Sequence, residues 1–438
     1  MKQFAITISL IAVLSSSMSR ADDLIEVFER ALTSDPQLLA EAASQRAVSE
    51  LDSQATARFL PQISLSANNG KVRRRSSAMT FGGNNEYNSH GYTLSLIQPI
   101  YRPESLIKST QAEIAIETAQ ANYMIAEQDF LLRVAEQYFN FLARQDEVGF
   151  AAAKKEANTK QLEQVQLRFD LGLATITDLS ESQAGLDLAN ADLILAFNAL
   201  DNSKEYLRET SGLYWERLAP LQNEIPLVKP EPENIEQWVK AALVNNLSLR
   251  VAKKLKEDAE QVISLERSGH FPSLDLVGEK SYTSQSESNF GGSTKVHQDT
   301  LSLRFKLPLF EGGNVLSKTR EARHRMDQAM QNEEKHRRLV IRQSREAYNG
   351  VVSGISRVKA LRQALLSGKQ ALVSTEAGYE VGTRTTVDVL NVRRDFFKAK
   401  IDYSSSMYDY ILSSLRLKQS AGTLRRNDLV LINQWLEH

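Results

Sequence analysis

The chain contains no cysteine. That excludes a disulfide framework, a thiolate nucleophile and any cysteine-ligated zinc site. Glycine and proline are scarce, 20 and 10 among 438 residues, which leaves room for long uninterrupted helices. An excess of one charge is missing too: the formal net charge is −1, without the basic surplus of a nucleic-acid binder. His90, His270, His297, His324, His336 and His438 are scattered, none paired at ligand spacing, so no metal is expected. Of these, His324 and His336 lie in a charged helical stretch and read as solvated. No GxxxxGK[ST], HExxH or GxSxG is present, and a secreted hydrolase would lack a nucleophile–base pair. No enzymatic activity and no cofactor is expected.

Long apolar runs are absent after residues 4–14; nothing later approaches the ~18–20 residues of a membrane-spanning helix. The early run follows Lys2 and precedes Ser19 and Ala21, small residues suited to cleavage before Asp22, so residues 1–21 read as an export signal. An exported chain without a spanning helix is free in the periplasm, secreted, or a β-barrel of the outer membrane.

What is present is a turn that occurs twice. Residues 168–179 read RFDLGLATITDL and residues 378–390 read GYEVGTRTTVDVL, an offset of 210 that pairs Gly172 with Gly382 and Asp178 with Asp388. Glycine allows the positive φ of a tight reversal, and the Thr and Asp that follow suit a helix N-cap. Each copy lies between long helical patterns, so both read as tips of helical hairpins. A plain surface loop is the alternative for either copy alone.

The rest of the chain is duplicated around these turns. A helical pattern over about 24–58 ends at Phe59-Leu60-Pro61. Ile63, Leu65 and Ala67 then alternate with Ser64, Ser66 and Asn68, which predicts a strand. A polar loop with Lys71, Arg73, Arg74, Arg75 and Phe81-Gly82-Gly83 leads to a second strand through Tyr92, Leu94 and Leu96. The basic cluster reads as a solvated loop; contact with lipopolysaccharide is the alternative. Residues 104–168 hold no proline and predict a helix about 100 Å long, with Ile107, Ile114, Ala121, Leu131, Ala135, Tyr138 and Leu142 along one seam. A shorter helix follows the first turn. Four prolines then mark residues 213–233 as a linker. ALTSDPQLL is echoed by ALVNNLSLR, and His270-Phe271-Pro272 opens a second strand pair in which Leu301, Leu303, Phe305 and Leu307 alternate with Ser302, Arg304 and Lys306. A second long helix, with Gly350 and Gly354 as possible weak points, reaches the second turn. The predicted divisions are 22–212 and 234–422 as two repeats and 423–438 as a tail.

Four strands cannot close a membrane barrel, which needs about eight, and open edges are forbidden in lipid. Strands in a membrane would therefore be shared by two, three or four subunits, with the leucine face toward lipid and Arg304 and Lys306 toward water. A water-soluble sheet with one buried face fits each strand equally well.

The duplicated turns, the FLPQISL and HFPSLDL entries and the LPLFEGG stretch resemble the TolC family of outer-membrane exit ducts over the whole mature chain. The resemblance implies a mainly α fold with a β-barrel portion: a homotrimer whose twelve-stranded barrel continues into the periplasm as a twelve-helix tunnel. It implies work with a periplasmic adaptor and an inner-membrane pump, exporting small toxic compounds or unfolded polypeptides. It implies a gate of polar links at the helical tips, at positions matched by Gln161, Thr177, Asp178, Glu376, Tyr379 and Arg384. For Thr177 and Asp178, capping of their own helix is the competing role. It also implies two acidic rings at the constriction. Asp388 matches the first, but Asn391 stands at the second, so a weaker cation preference and a raised Asp388 pKa are expected. The adaptor would dock on the exposed tip around both turns. The competing reading is a periplasmic coiled-coil adaptor or scaffold, which would not need two strand pairs at matching places in both halves.

Overall fold

The computed structural model describes residues 21–76, 83–286 and 292–437. The export signal up to residue 20, Phe81-Gly82 and Phe290-Gly291 lie outside the described residues. Contacts divide the chain into two compact units, each drawn from both halves of the sequence.

One unit comprises residues 40–126 and 242–342. It holds an antiparallel sheet of β1 (Gln62–Ser76), β2 (Gly83–Tyr101), β3 (Ser273–Gln285) and β4 (Thr294–Lys306), in the order β1-β2-β3-β4. The order leaves β1 and β4 as edges. Register sets Leu65 beside Leu94, then Tyr92, Tyr282 and His297 in one cross-strand row. Ring centroids in that row lie 5.6 Å and 4.7 Å apart. On the same face Ile63, Leu65, Leu301, Leu303 and Phe305 are all more than 60% exposed. The register slips between Pro99 and Tyr101, where proline has no N–H for the ladder.

The strands run further than alternation indicated. Lys71, Arg73, Arg74 and Arg75 belong to β1, not to a loop. The reason is a cross-strand charge pairing that periodicity does not register: Lys71 Nζ lies 2.7 Å from Glu86 Oε2, and Arg73 binds the other oxygen. At the foot of the sheet the Arg102 guanidinium grips Asp275 through two bonds of 2.8 and 2.9 Å. Helix α7 (Leu247–Arg267) is tied to the long helices α4 (Pro103–Asp170) and α8 (Asn314–Glu380) by Lys254–Glu117 at 2.6 Å and Lys256–Glu333 at 2.8 Å.

The other unit takes the described residues to 39, then 127–241 and 343 onward. Its core is aromatic and aliphatic: Tyr138, Phe139, Phe141, Leu207, Tyr410 and Ile411 are all buried. The stretch predicted as one helix over 24–58 is three, α1 (Leu24–Ser34), α2 (Pro36–Ser49) and α3 (Leu51–Ala57). Asp35 causes the first break. Its carboxylate accepts from the Leu38 N–H at 2.9 Å and from Arg133 at 2.5 Å, capping α2 ahead of Pro36. Residues 213–233 have little regular structure but are held firmly. Tyr138 Oη donates to the Ala219 carbonyl at 2.9 Å, and Tyr410 Oη donates to the Val228 carbonyl at 2.9 Å. The predicted tail is also ordered into the unit. It forms α10 (Arg426–Asn433), with Lys418–Asp428 at 2.5 Å and Asn433–Asp23 at 3.0 Å. Helix α8 passes through Gly350 and Gly354 unbroken, because packing against Ser413 and Tyr410 outweighs a propensity cost of about 1 kcal/mol per glycine.

Candidate functional site: the paired hairpin tips

Helix α4 meets α5 (Ile176–Ser211) at the first turn, and α8 meets α9 (Thr386–Ser420) at the second. The two turns are built alike. Gly172 and Gly382 have φ of +72° and +80°, which an L side chain rarely adopts. Carbonyls at the helix ends are satisfied by the turn: the Leu173 N–H donates to Arg168 at 2.7 Å, and the Thr383 N–H donates to Gly378 at 2.8 Å.

The next helix is then capped identically. Thr175 and Asp178 form a capping box, with the Thr175 N–H donating to Asp178 at 2.9 Å and the Asp178 N–H to Thr175 Oγ1 at 3.2 Å. Thr385 and Asp388 repeat it at 2.9 and 3.2 Å. The N-capping role expected of Thr and Asp after each glycine is filled by Thr175 with Asp178 and by Thr385 with Asp388.

Contacts near the tips join one hairpin to the other, and farther along Asp146 of α4 accepts from Ser404 and from Tyr408 Oη of α9. The Arg168 guanidinium stacks over the Tyr379 ring, 5.0 Å from its centroid. Thr386 Oγ1 donates to Asp178 Oδ1 at 3.3 Å. Deeper in, Arg393 donates to the Ala157 carbonyl at 3.1 Å and to Asn158 Oδ1 at 3.4 Å, while its other nitrogen holds Glu376 at 2.7 Å.

These contacts sort the sequence-picked residues. Asp178 caps its own helix and also reaches the second hairpin. Tyr379 is in the inter-hairpin stack. Glu376 is engaged by Arg393 of its own hairpin. Arg384 and Asn391 are exposed, as is Thr177. Gln161 is buried, and its Nε2 has no hydrogen-bond partner. Arg168, Thr386, Asn158 and Arg393 were missed. No local pattern marks them, because each acts on the other hairpin, more than 200 residues away in sequence for all but one of these bonds.

The Thr175 hydroxyl and backbone N–H hold the Asp178 carboxyl below the usual carboxylate range. The Thr385 N–H and hydroxyl, with Arg384 nearby, do the same for Asp388. Within one chain, then, the local groups act against the rise expected from neighbouring carboxylates. Apolar side chains stand out at both turns, Leu171, Leu173 and Ile176 at the first and Val381 at the second, each more than 60% exposed.

Among the described residues no helix is long and apolar enough to cross a membrane, and no group of acidic and histidine side chains could hold a metal ion. The sheet carries an exposed apolar face of leucine, isoleucine and phenylalanine. Long helical hairpins joined to such a strand pair, twice over, define a duct-forming outer-membrane protein.

Comparison with known proteins makes the class specific. The family described as "Outer membrane efflux protein" matches residues 27–213 and 238–423. The outer membrane protein TolC of Vibrio cholerae is 37% identical over 428 residues, 96% of this chain and 95% of that one. The alkaline protease secretion protein AprF of Pseudomonas aeruginosa is 28% identical over 93% of this chain and 86% of its own. Among solved structures, the Campylobacter jejuni CmeC outer membrane channel superposes with a TM-score of 0.79 at 15% identity, covering 95% of this chain and 90% of that one. The chain belongs to the outer membrane efflux protein family. It is an outer-membrane exit duct that extends into the periplasm, and its fold is the duplicated strand-pair and helical-hairpin unit.

Proposed function

We propose that three copies of this chain form one conduit, with a twelve-stranded barrel above a twelve-helix tunnel, serving a periplasmic adaptor and an inner-membrane pump. The observation that carries the reading is the four-stranded sheet with two unpaired edges and an exposed leucine face. In lipid such edges must be paired, and neighbouring copies supply the partners. We infer that the repeats are 22–212 and 234–422, supported by the paired turns and caps. The apolar outer surface of the tips suits adaptor docking. The tips are the gate, with Asp178, Tyr379, Arg384, Thr177, Gln161 and Glu376 among the polar groups that hold it shut. Asp388 forms one acidic ring, and Asn391 leaves the second ring neutral. Small compounds are the expected cargo where the pump is an efflux pump, and unfolded polypeptides where it is a type I secretion pump.

The test is direct. Protein extracted from outer membranes should migrate as a heat-sensitive trimer and give small, cation-preferring conductance in planar bilayers. A detergent-independent monomer would sink the reading. Deleting the gene and scoring both drug susceptibility and secreted proteins decides between the cargo classes.

A further inference from the structure

We propose that Arg393 is the bolt that couples the two hairpins of each subunit, and so a positioning residue of the gate; this rests on the gate reading above. Arg393 is 8% exposed, whereas the tip residues Arg384 and Thr385 are exposed. From α9 it reaches Glu376 on α8 at 2.7 Å, which keeps the second hairpin together. The same guanidinium reaches the Ala157 carbonyl and Asn158 Oδ1 on α4, which ties that hairpin to the first. Asn158 is itself fixed, donating from Nδ2 to the Gly185 carbonyl on α5 at 2.8 Å. One side chain therefore touches two helices directly and a third through Asn158.

Of the two repeats, only the second carries this group. The position equivalent to Arg393 in the first repeat is Gln183, which lies exposed and bonds Asp187 one turn along its own helix at 3.0 Å. The capping boxes are shared by both repeats; the buried guanidinium belongs to the second alone. A planar guanidinium with several fixed donors is the group suited to hold a carboxylate and a carbonyl at once. If the second hairpin swings away from the first, the Glu376 bond travels with Arg393. The bonds to Ala157 and Asn158 must break, and a buried donor pair is stranded. Buried charge–dipole contacts resist such separation more than solvated tip links do.

The experiment compares resting conductance in planar bilayers with the heat-dissociation temperature of the trimer. Arg393→Met keeps the apolar stem, removes every donor, and should raise resting conductance at least tenfold. Arg393→Lys can satisfy one partner at a time and should fall between. The swap Arg393→Glu with Glu376→Arg restores a pair inside the second hairpin but cannot donate to Ala157; it should remain leaky. Wild-type conductance in Arg393→Met or a fully closed charge swap overturns the bolt. If Arg393→Met fails to assemble, Arg393→Lys decides: a leak with an unchanged dissociation temperature supports the proposal, and a lowered temperature without a leak refutes it. Arg384→Ser is measured alongside. A leak there without one in the Arg393 variants leaves the gate reading standing and removes only the bolt; no leak in any of them removes the gate.

Discussion

Replacing Thr386 by valine isolates one hydrogen bond of the tip. Thr386 is 1% exposed and donates to Asp178 Oδ1 at 3.3 Å. Valine has nearly the same shape, so no cavity opens. The capping box of α5 uses Asp178 Oδ2 and stays intact. Bonds to a charged acceptor contribute about 1.5–3 kcal/mol at their best, but this one is long and its acceptor is partly solvated, so about 1 kcal/mol is the working figure. That is roughly fivefold in the closed-to-open ratio for one subunit. Three tips that must part together multiply it to about a hundredfold in the resting open fraction. The assay is resting conductance of purified trimers in planar bilayers, with Thr175→Ala as a control that weakens the cap and leaves the inter-hairpin donor in place. Wild-type conductance in Thr386→Val, in the same preparation where Arg384→Ser leaks, would show that the hairpins are not held by this bond.

The remaining expectations concern charge, strain and the core. Arg384→Ser should increase resting conductance, and Asp388→Ala should abolish cation preference in reversal-potential measurements; an unchanged reversal potential removes Asp388 from the constriction. Asp178 is held below its ordinary value of 3.8 in the folded tip, so its contribution to closure is complete above that pH and is lost as pH falls through the lower folded value. Resting conductance should therefore stay flat from neutrality to about that pH and rise only below it; a rise near pH 5 contradicts the assignment. Gly382→Ala must place a side chain at φ +80°, a strain of about 1–2 kcal/mol, and should open the gate without lowering barrel stability in heat-dissociation gels. Tyr138→Phe leaves the buried Ala219 carbonyl without its donor, costs about 1–3 kcal/mol, and should lower the dissociation temperature while conductance is unaffected.

The legible parts of this fold were those set by local rules. Period-two alternation located all four strands, and glycine followed by a Thr-x-x-Asp box located both turns, because each depends on residues a few positions apart. Boundaries failed where a distant partner decided them. The β1–β2 hairpin extends because Lys71 and Arg73 meet Glu86 across the strands, and the first helix breaks because Asp35 turns to Leu38 and Arg133. The segment at 213–233 looked loose because its supports, Tyr138 and Tyr410, come from other helices.

Duplication also conceals differences between the hairpins. It makes the two hairpins look alike, since turn and cap recur at the same offset, although Leu173 and Ile176 of the first rim are matched by Thr383 and Thr386. Among the positions where they differ are Gly378 where the first repeat has Arg168, Thr386 where it has Ile176, and Arg393 where it has Gln183. Each of these three differences sits at a contact between the hairpins. Arg168 stacks on Tyr379, Thr386 donates to Asp178, and Arg393 spans both; a Cβ at Gly378 would lie 2.8 Å from the Arg384 side chain that folds over it. A ring of identical hairpins would have equal contacts on both sides of each and no reason to move in pairs. Within each chain these contacts join the two hairpins into a pair. If the tips form the gate proposed above, the order in which Thr386→Val and Arg393→Met lower the opening barrier measures which of these contacts yields first.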